Sequence, residues 1–78
     1  MKGKLVLVIW EDIISDSAWA TEEEACKQPL ARCISVGWVI SKTKKEIRLG
    51  ASKAMDKEYG DRIVIPMSVV LEIKILKI

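Results

Sequence analysis

The sequence predicts a single, mainly β domain: a small five-stranded barrel with one short helix between its first and second strands. Three observations carry this prediction. Half of the 78 residues are apolar, and they are dominated by Val, Ile and Leu, with three Trp, one Tyr and no Phe; Val and Ile fit a pleated surface well. Alternation of period two recurs in several short runs. Turn residues separate those runs at hairpin-like intervals. The length suits one domain, residues 1–78. A domain this small has a thin margin of stability, and dense apolar packing is its expected source.

The first strand is expected over Lys4 to Ile13, with Leu5, Leu7 and Ile9 on one face and Val6, Val8 and Trp10 on the other. Apolar residues on both faces imply a strand covered on both sides, or one whose outer face meets a partner. Ser15, Asp16 and Ser17 interrupt it with turn chemistry. Thr21-Glu22-Glu23-Glu24 is a capping box, its acids suited to the positive end of a helix, and it predicts a short helix over Glu22–Lys27 that Pro29 stops.

A second strand follows from Ala31 to Lys42, with Ile34, Val36, Trp38 and Ile40 on one face and Cys33, Ser35, Gly37, Val39 and Ser41 on the other. Gly37 inside a strand marks a bulge, a bend or a close backbone approach. Thr43-Lys44-Lys45 turns the chain into a third strand, Glu46–Ala51, with Ile47 and Leu49 inward. After a polar loop, a fourth strand runs Asp61–Ile65, and Pro66-Met67-Ser68 separates it from a fifth, Val69–Lys77.

A long first connection, three meandering strands and a Pro-led turn into the last strand resemble the order of SH3-like and Sm-like small barrels. That resemblance implies a fold and no ligand. A second resemblance rests on Trp10-Glu11-Asp12, Trp19, Pro29, Ser35-Val36-Gly37-Trp38 and Ile65-Pro66. This pattern is similar to that of small uncharacterised bacterial and phage-borne proteins. It implies a bacterial or phage origin and one fold over the whole chain, and brings no mechanism.

Composition narrows the chemistry. There is no His, hence no imidazole to shuttle protons near neutral pH or to bind a metal. Cys26 and Cys33 have neither CxxC spacing nor neighbouring ligands, and read as two reduced thiols. No metal and no cofactor is expected. The apolar run Leu5–Trp10 is far shorter than the about 20 residues of a membrane span and shorter than a signal peptide's apolar core of about 7–15. A cytoplasmic protein with no membrane partner is the expectation. No nucleophile–base pair or phosphate-cradling Gly loop is present, so an enzyme is not expected. Asp12 and Asp16 flank the first loop, where turn and capping roles outweigh acid–base work.

Two binding surfaces remain. Trp19 sits in a polar stretch between a turn and a helix cap, and Trp is enriched at interface hot spots. With Asp16 and Tyr59, on the loops Ser15–Ala20 and Ala54–Tyr59, it defines the expected site of a protein-interaction module. The more ordinary expectation is that Trp10 and Trp38 are core or near-core and that Trp19 packs over one end of the barrel with its indole N–H hydrogen-bonded. The alternative is a nucleic-acid-binding accessory protein using Lys42, Lys44, Lys45, Arg48 and Lys53, since a basic edge attracts phosphate backbones. Charge is unevenly spread: residues 1–30 carry a net −3 and residues 31–78 a net +5. This asymmetry also suits self-association into a homodimer, an acidic helix end meeting a basic hairpin or strand edges pairing between copies.

Overall fold

Turn chemistry and alternation divide the chain where the strands divide. In the computed structural model, which describes residues 1–77, five strands form one antiparallel sheet. They are β1 (Leu5–Asp12), β2 (Ala31–Lys42), β3 (Glu46–Lys53), β4 (Tyr59–Pro66) and β5 (Val70–Ile75), in the order β4-β3-β2-β1-β5. A five-residue helix, α1 (Glu22–Cys26), lies between β1 and β2, and a 3-10 turn, Met67–Val69, leads into β5. The fold is mainly β, as expected. Strand β4 starts two residues earlier than the sequence predicts and β5 is shorter at both ends. The β2–β3 turn is closed by Thr43, whose amide donates to the Glu46 carbonyl (2.9 Å) and whose hydroxyl accepts the Lys45 and Glu46 amides (3.1 and 3.2 Å).

The expected barrel does not close. Among the described residues no ladder joins β4 to β5, and these strands are the two edges of the sheet. The chain crosses from β4 to β5 through the 3-10 turn, which the Met67 amide ties to the Lys45 carbonyl at 2.8 Å. Met67 and Val69 pack against the core during this crossing. Side chains of the crossover thus cap the core where a closed barrel would use a ladder.

Among the described residues Val6, Val8, Val39, Ile47, Leu49 and Ile65 have the fully buried hydrophobic side chains, and all six lie on one face of the sheet. A single sheet can enclose its own core only by bending over it. Two register shifts serve this bend, one between Ile9 and Trp10 against β5 and one between Val39 and Ser41 against β3; such bulges increase local twist and curvature. At the bend Gly37 meets Gly50, and a Cβ on Gly37 would lie 2.8 Å from the Gly50 carbonyl oxygen. Gly37 is a close-approach glycine, one of the roles its position within a strand predicts.

Residues 13–30 are different in kind. Every one of them is exposed. The radius of gyration is 15.8 Å, against about 11.5 Å for a compact chain of this length, because this segment stands off the sheet as an arm. Within it the capping box forms: Thr21 Oγ1 accepts the Glu24 amide and donates to Glu24 Oε1, both at 3.1 Å. Because α1 buries nothing, Thr21→Ala should cost about 1 kcal/mol of local helix stability and leave the global melt unmoved. Amide exchange at Glu24 should quicken in that variant. A Tm lowered by several degrees would show instead that the arm is coupled to the sheet.

Candidate functional site

The arm is ordered by its own short-range hydrogen bonds. Asp12 Oδ1 accepts the Ile13 amide at 2.8 Å where β1 ends, and Asp16 Oδ1 accepts the Ala18 amide at 2.9 Å. Both carboxylates of the candidate acid–base pair are thus engaged in turn formation, the role their sequence context predicts. Between the Asp16 turn and the Thr21 cap the chain holds Trp19 outward. Its side chain is 102% exposed, that is, fully in solvent. Asp16, Ala18, Glu24, Ala25 and Gln28 line the shallow hollow beside it. Asp16 and Glu22–Glu24 make the surroundings acidic; Lys27 answers them, with Nζ 3.6 Å from Glu23 Oε1.

The other two tryptophans are half-buried in the sheet. Trp10 lies on the core face and its indole N–H donates to Ser35 Oγ at 3.0 Å, the polar partner that a buried indole requires. Trp38 lies on the opposite face, where it is paired with Leu5.

Tyr59 does not join Trp19. It opens β4 and packs over Gly50, where a Cβ would come within 2.8 Å of its ring. Its hollow is a separate one, shared with Ser52, Lys53, Ala54, Glu58 and Gly60. The structure therefore brings Asp16 to Trp19 and leaves Tyr59 apart.

The basic residues likewise do not form one patch. Lys42, Lys44 and Lys45 cluster at the β2–β3 turn. Arg48 is drawn into the sheet surface by Glu46 Oε1 at 2.8 Å and Ser41 Oγ at 3.3 Å. Lys53 stands at the far end of β3, with Nζ 5.8 Å from the Tyr59 ring centroid. The five residue steps from Arg48 to Lys53 on an extended strand amount to about 17 Å, so the two cannot share a phosphate. Cys26 and Cys33 are both free thiols. Among the described residues no group of three or more His, Cys, Asp or Glu side chains is placed to hold a metal. No helix there is long and apolar enough to cross a membrane.

One further surface bears on the expectation that the outer face of β1 is covered or meets a partner. On the face opposite the core, Leu5, Leu7 and Ile9 of β1 stand directly against Trp38, Val36 and Ile34 of β2. Ile34 is 66% and Val36 48% exposed. Apolar residues on both faces of β1 are the signal for such a face, and β2 completes it.

No family model, no curated protein and no solved structure matches this chain. Its function is therefore read from its own geometry.

Proposed function

We propose that this protein is a non-enzymatic protein-interaction module that binds its partner through the arm of residues 13–30, with Trp19 as the anchor. The single observation that carries this reading is the full exposure of Trp19 on a segment whose every residue is exposed. A fully solvated indole contributes nothing to folding, and it is the side chain that gains most when an interface removes it from water. The fitting partner surface is an apolar pocket rimmed by basic groups, since Asp16 and Glu24 line the hollow beside the indole and Glu22 and Glu23 add to the negative charge of the same segment. The same reading places the protein among cytoplasmic modules of bacterial or phage origin with an SH3-like strand order.

The test is selection from a displayed library of random peptides against the wild-type protein. Peptides enriched by the wild type should bind Trp19→Ala at least tenfold more weakly, an effect of about 1.4 kcal/mol or more. The melting temperature of that variant should stay unchanged. Enriched peptides that bind both forms equally would overturn the proposal, as would selection of oligonucleotides in place of peptides when both are offered at moderate salt.

A further inference from the structure

Strand β5 is an open edge with a self-complementary pattern. The Leu76 amide donates to the Leu5 carbonyl at 2.8 Å, and the ladder sets Val6 against Ile75, Leu7 against Lys74 and Ile9 against Glu72. Leu5 and Leu76 are thus a hydrogen-bonded pair, and antiparallel pairs alternate in type. It follows that Glu72 and Lys74 spend their main-chain groups on β1. The N–H and C=O of Ile73 and Ile75 point the other way, to the side of β5 that no strand covers among the described residues. Leu71 and Ile75 are 49% and 55% exposed beside this edge. The opposite edge is less open: β4 carries Asp61 at a φ of 50° and ends on Pro66, features that blunt a sheet edge.

We propose that β5 pairs antiparallel with β5 of a second copy about a two-fold axis at Ile73, which extends the sheet across the dimer. Alternation and charge select this register over its neighbours. With Ile73 opposite its own symmetry mate, Glu72 faces the partner copy's Lys74 and Lys74 faces the partner copy's Glu72. Both contacts fall at non-hydrogen-bonded positions, where side chains approach most closely. Leu71 and Ile75 then face each other at the flanks. A shift of the axis to Glu72 or to Lys74 would set like charges directly opposite, and a shift to Ile75 would leave both charges without a counter-ion. Within one copy the same two side chains lie side by side, Lys74 Nζ being 3.9 Å from Glu72 Oε1. The dimer therefore completes an alternating set of four charges. The contact is independent of Trp19.

Edge pairing of so short a strand is a small interface, and association is expected only at high concentration, up to about 1 mM, the weak end of the affinity scale. Sedimentation equilibrium at low salt should show the 8.8 kDa chain in equilibrium with its dimer. Glu72→Lys alone and Lys74→Glu alone should each weaken self-association about tenfold or more, because each sets like charges opposite one another twice. An equimolar mixture of those two variants should associate, since an all-acidic edge then meets an all-basic one. The double variant Glu72→Lys/Lys74→Glu should dimerise with itself and not with wild type. Trp19→Ala should dimerise as wild type does, which separates this contact from the peptide-binding reading. A wild-type protein that stays monomeric at about 1 mM would overturn the proposal. So would single variants that dimerise unchanged, the outcome expected if copies stacked on the apolar Leu7–Val36 face. If a single variant does not fold, self-association of the double variant and its failure to mix with wild type carry the test.

Discussion

Ile47→Ala should destabilise this protein by about 2–5 kcal/mol, whereas Ile34→Ala should change stability by no more than about 0.5 kcal/mol. Both residues are isoleucines in the middle of strand-forming sequence, so propensity and composition treat them alike. Ile47 is fully buried among Val6, Val8, Val39, Leu49 and Ile65, while Ile34 is 66% exposed on the other face. Loss of Ile47 removes transfer free energy and opens a cavity in a core that has six fully buried hydrophobic side chains among the described residues. A domain of this size holds roughly 5 kcal/mol in total, so the variant should be largely unfolded well below the wild-type Tm. Urea melts of the two variants side by side make the comparison. Equal losses would mean that the assignment of the two faces is wrong.

Gly37→Ala should cost about 1–3 kcal/mol or more, although it adds a single methyl group. The new Cβ would stand 2.8 Å from the Gly50 oxygen, 3.1 Å from the Gly50 carbonyl carbon and 3.3 Å from Leu49 Cβ. None of these atoms can rotate aside, because two are main chain and the third is fixed by a buried residue. The bend of β2 over β3 would have to open, and the core beneath it with it. Gly60→Ala is the control: its nearest neighbour would be Ser52 Cβ at 3.6 Å, an ordinary contact. It should be neutral or slightly stabilising by restricting the unfolded chain. Thermal melts that place Gly37→Ala and Gly60→Ala together would remove the close approach as the reason for glycine at 37.

Local chemistry was legible in the sequence wherever a single element suffices to express it. The Thr21 cap, the Asp16 turn, the Thr43 turn and the inward placement of Ile47 and Leu49 all follow from spacing, and all are present. The exposure of Trp19 was not readable: its place between a turn and a cap marks it as the most exposed of the three tryptophans, but the same spacing allows it to pack over one end of the sheet, and only the structure shows it fully exposed. The candidate surface was legible only in part. Tyr59 and Asp16 both sit in loops, and nothing in linear spacing says that the packing of Tyr59 on Gly50 leaves it in a hollow of its own.

By itself, the sequence determined the β class, the positions of the strands to within a few residues, the division of each strand into two faces and the long connection with its short helix between β1 and β2. These are consequences of period-two alternation, turn chemistry and capping, which act over a few residues. Only the tertiary structure decided which face became the core, whether the sheet closed, and which edge stayed open. β1 and β2 each offer apolar side chains on a face that is not the core, so hydrophobicity alone does not choose between the two. The choice falls to the bulges at Ile9/Trp10 and Val39/Ser41 and the Gly37–Gly50 approach, which bend the sheet toward Val6, Val8 and Val39. That same curvature, with Met67 and Val69 filling the crossover, leaves β5 unpaired on its outer side. Curvature of this kind is a property of paired strands, and no single segment of the chain carries it.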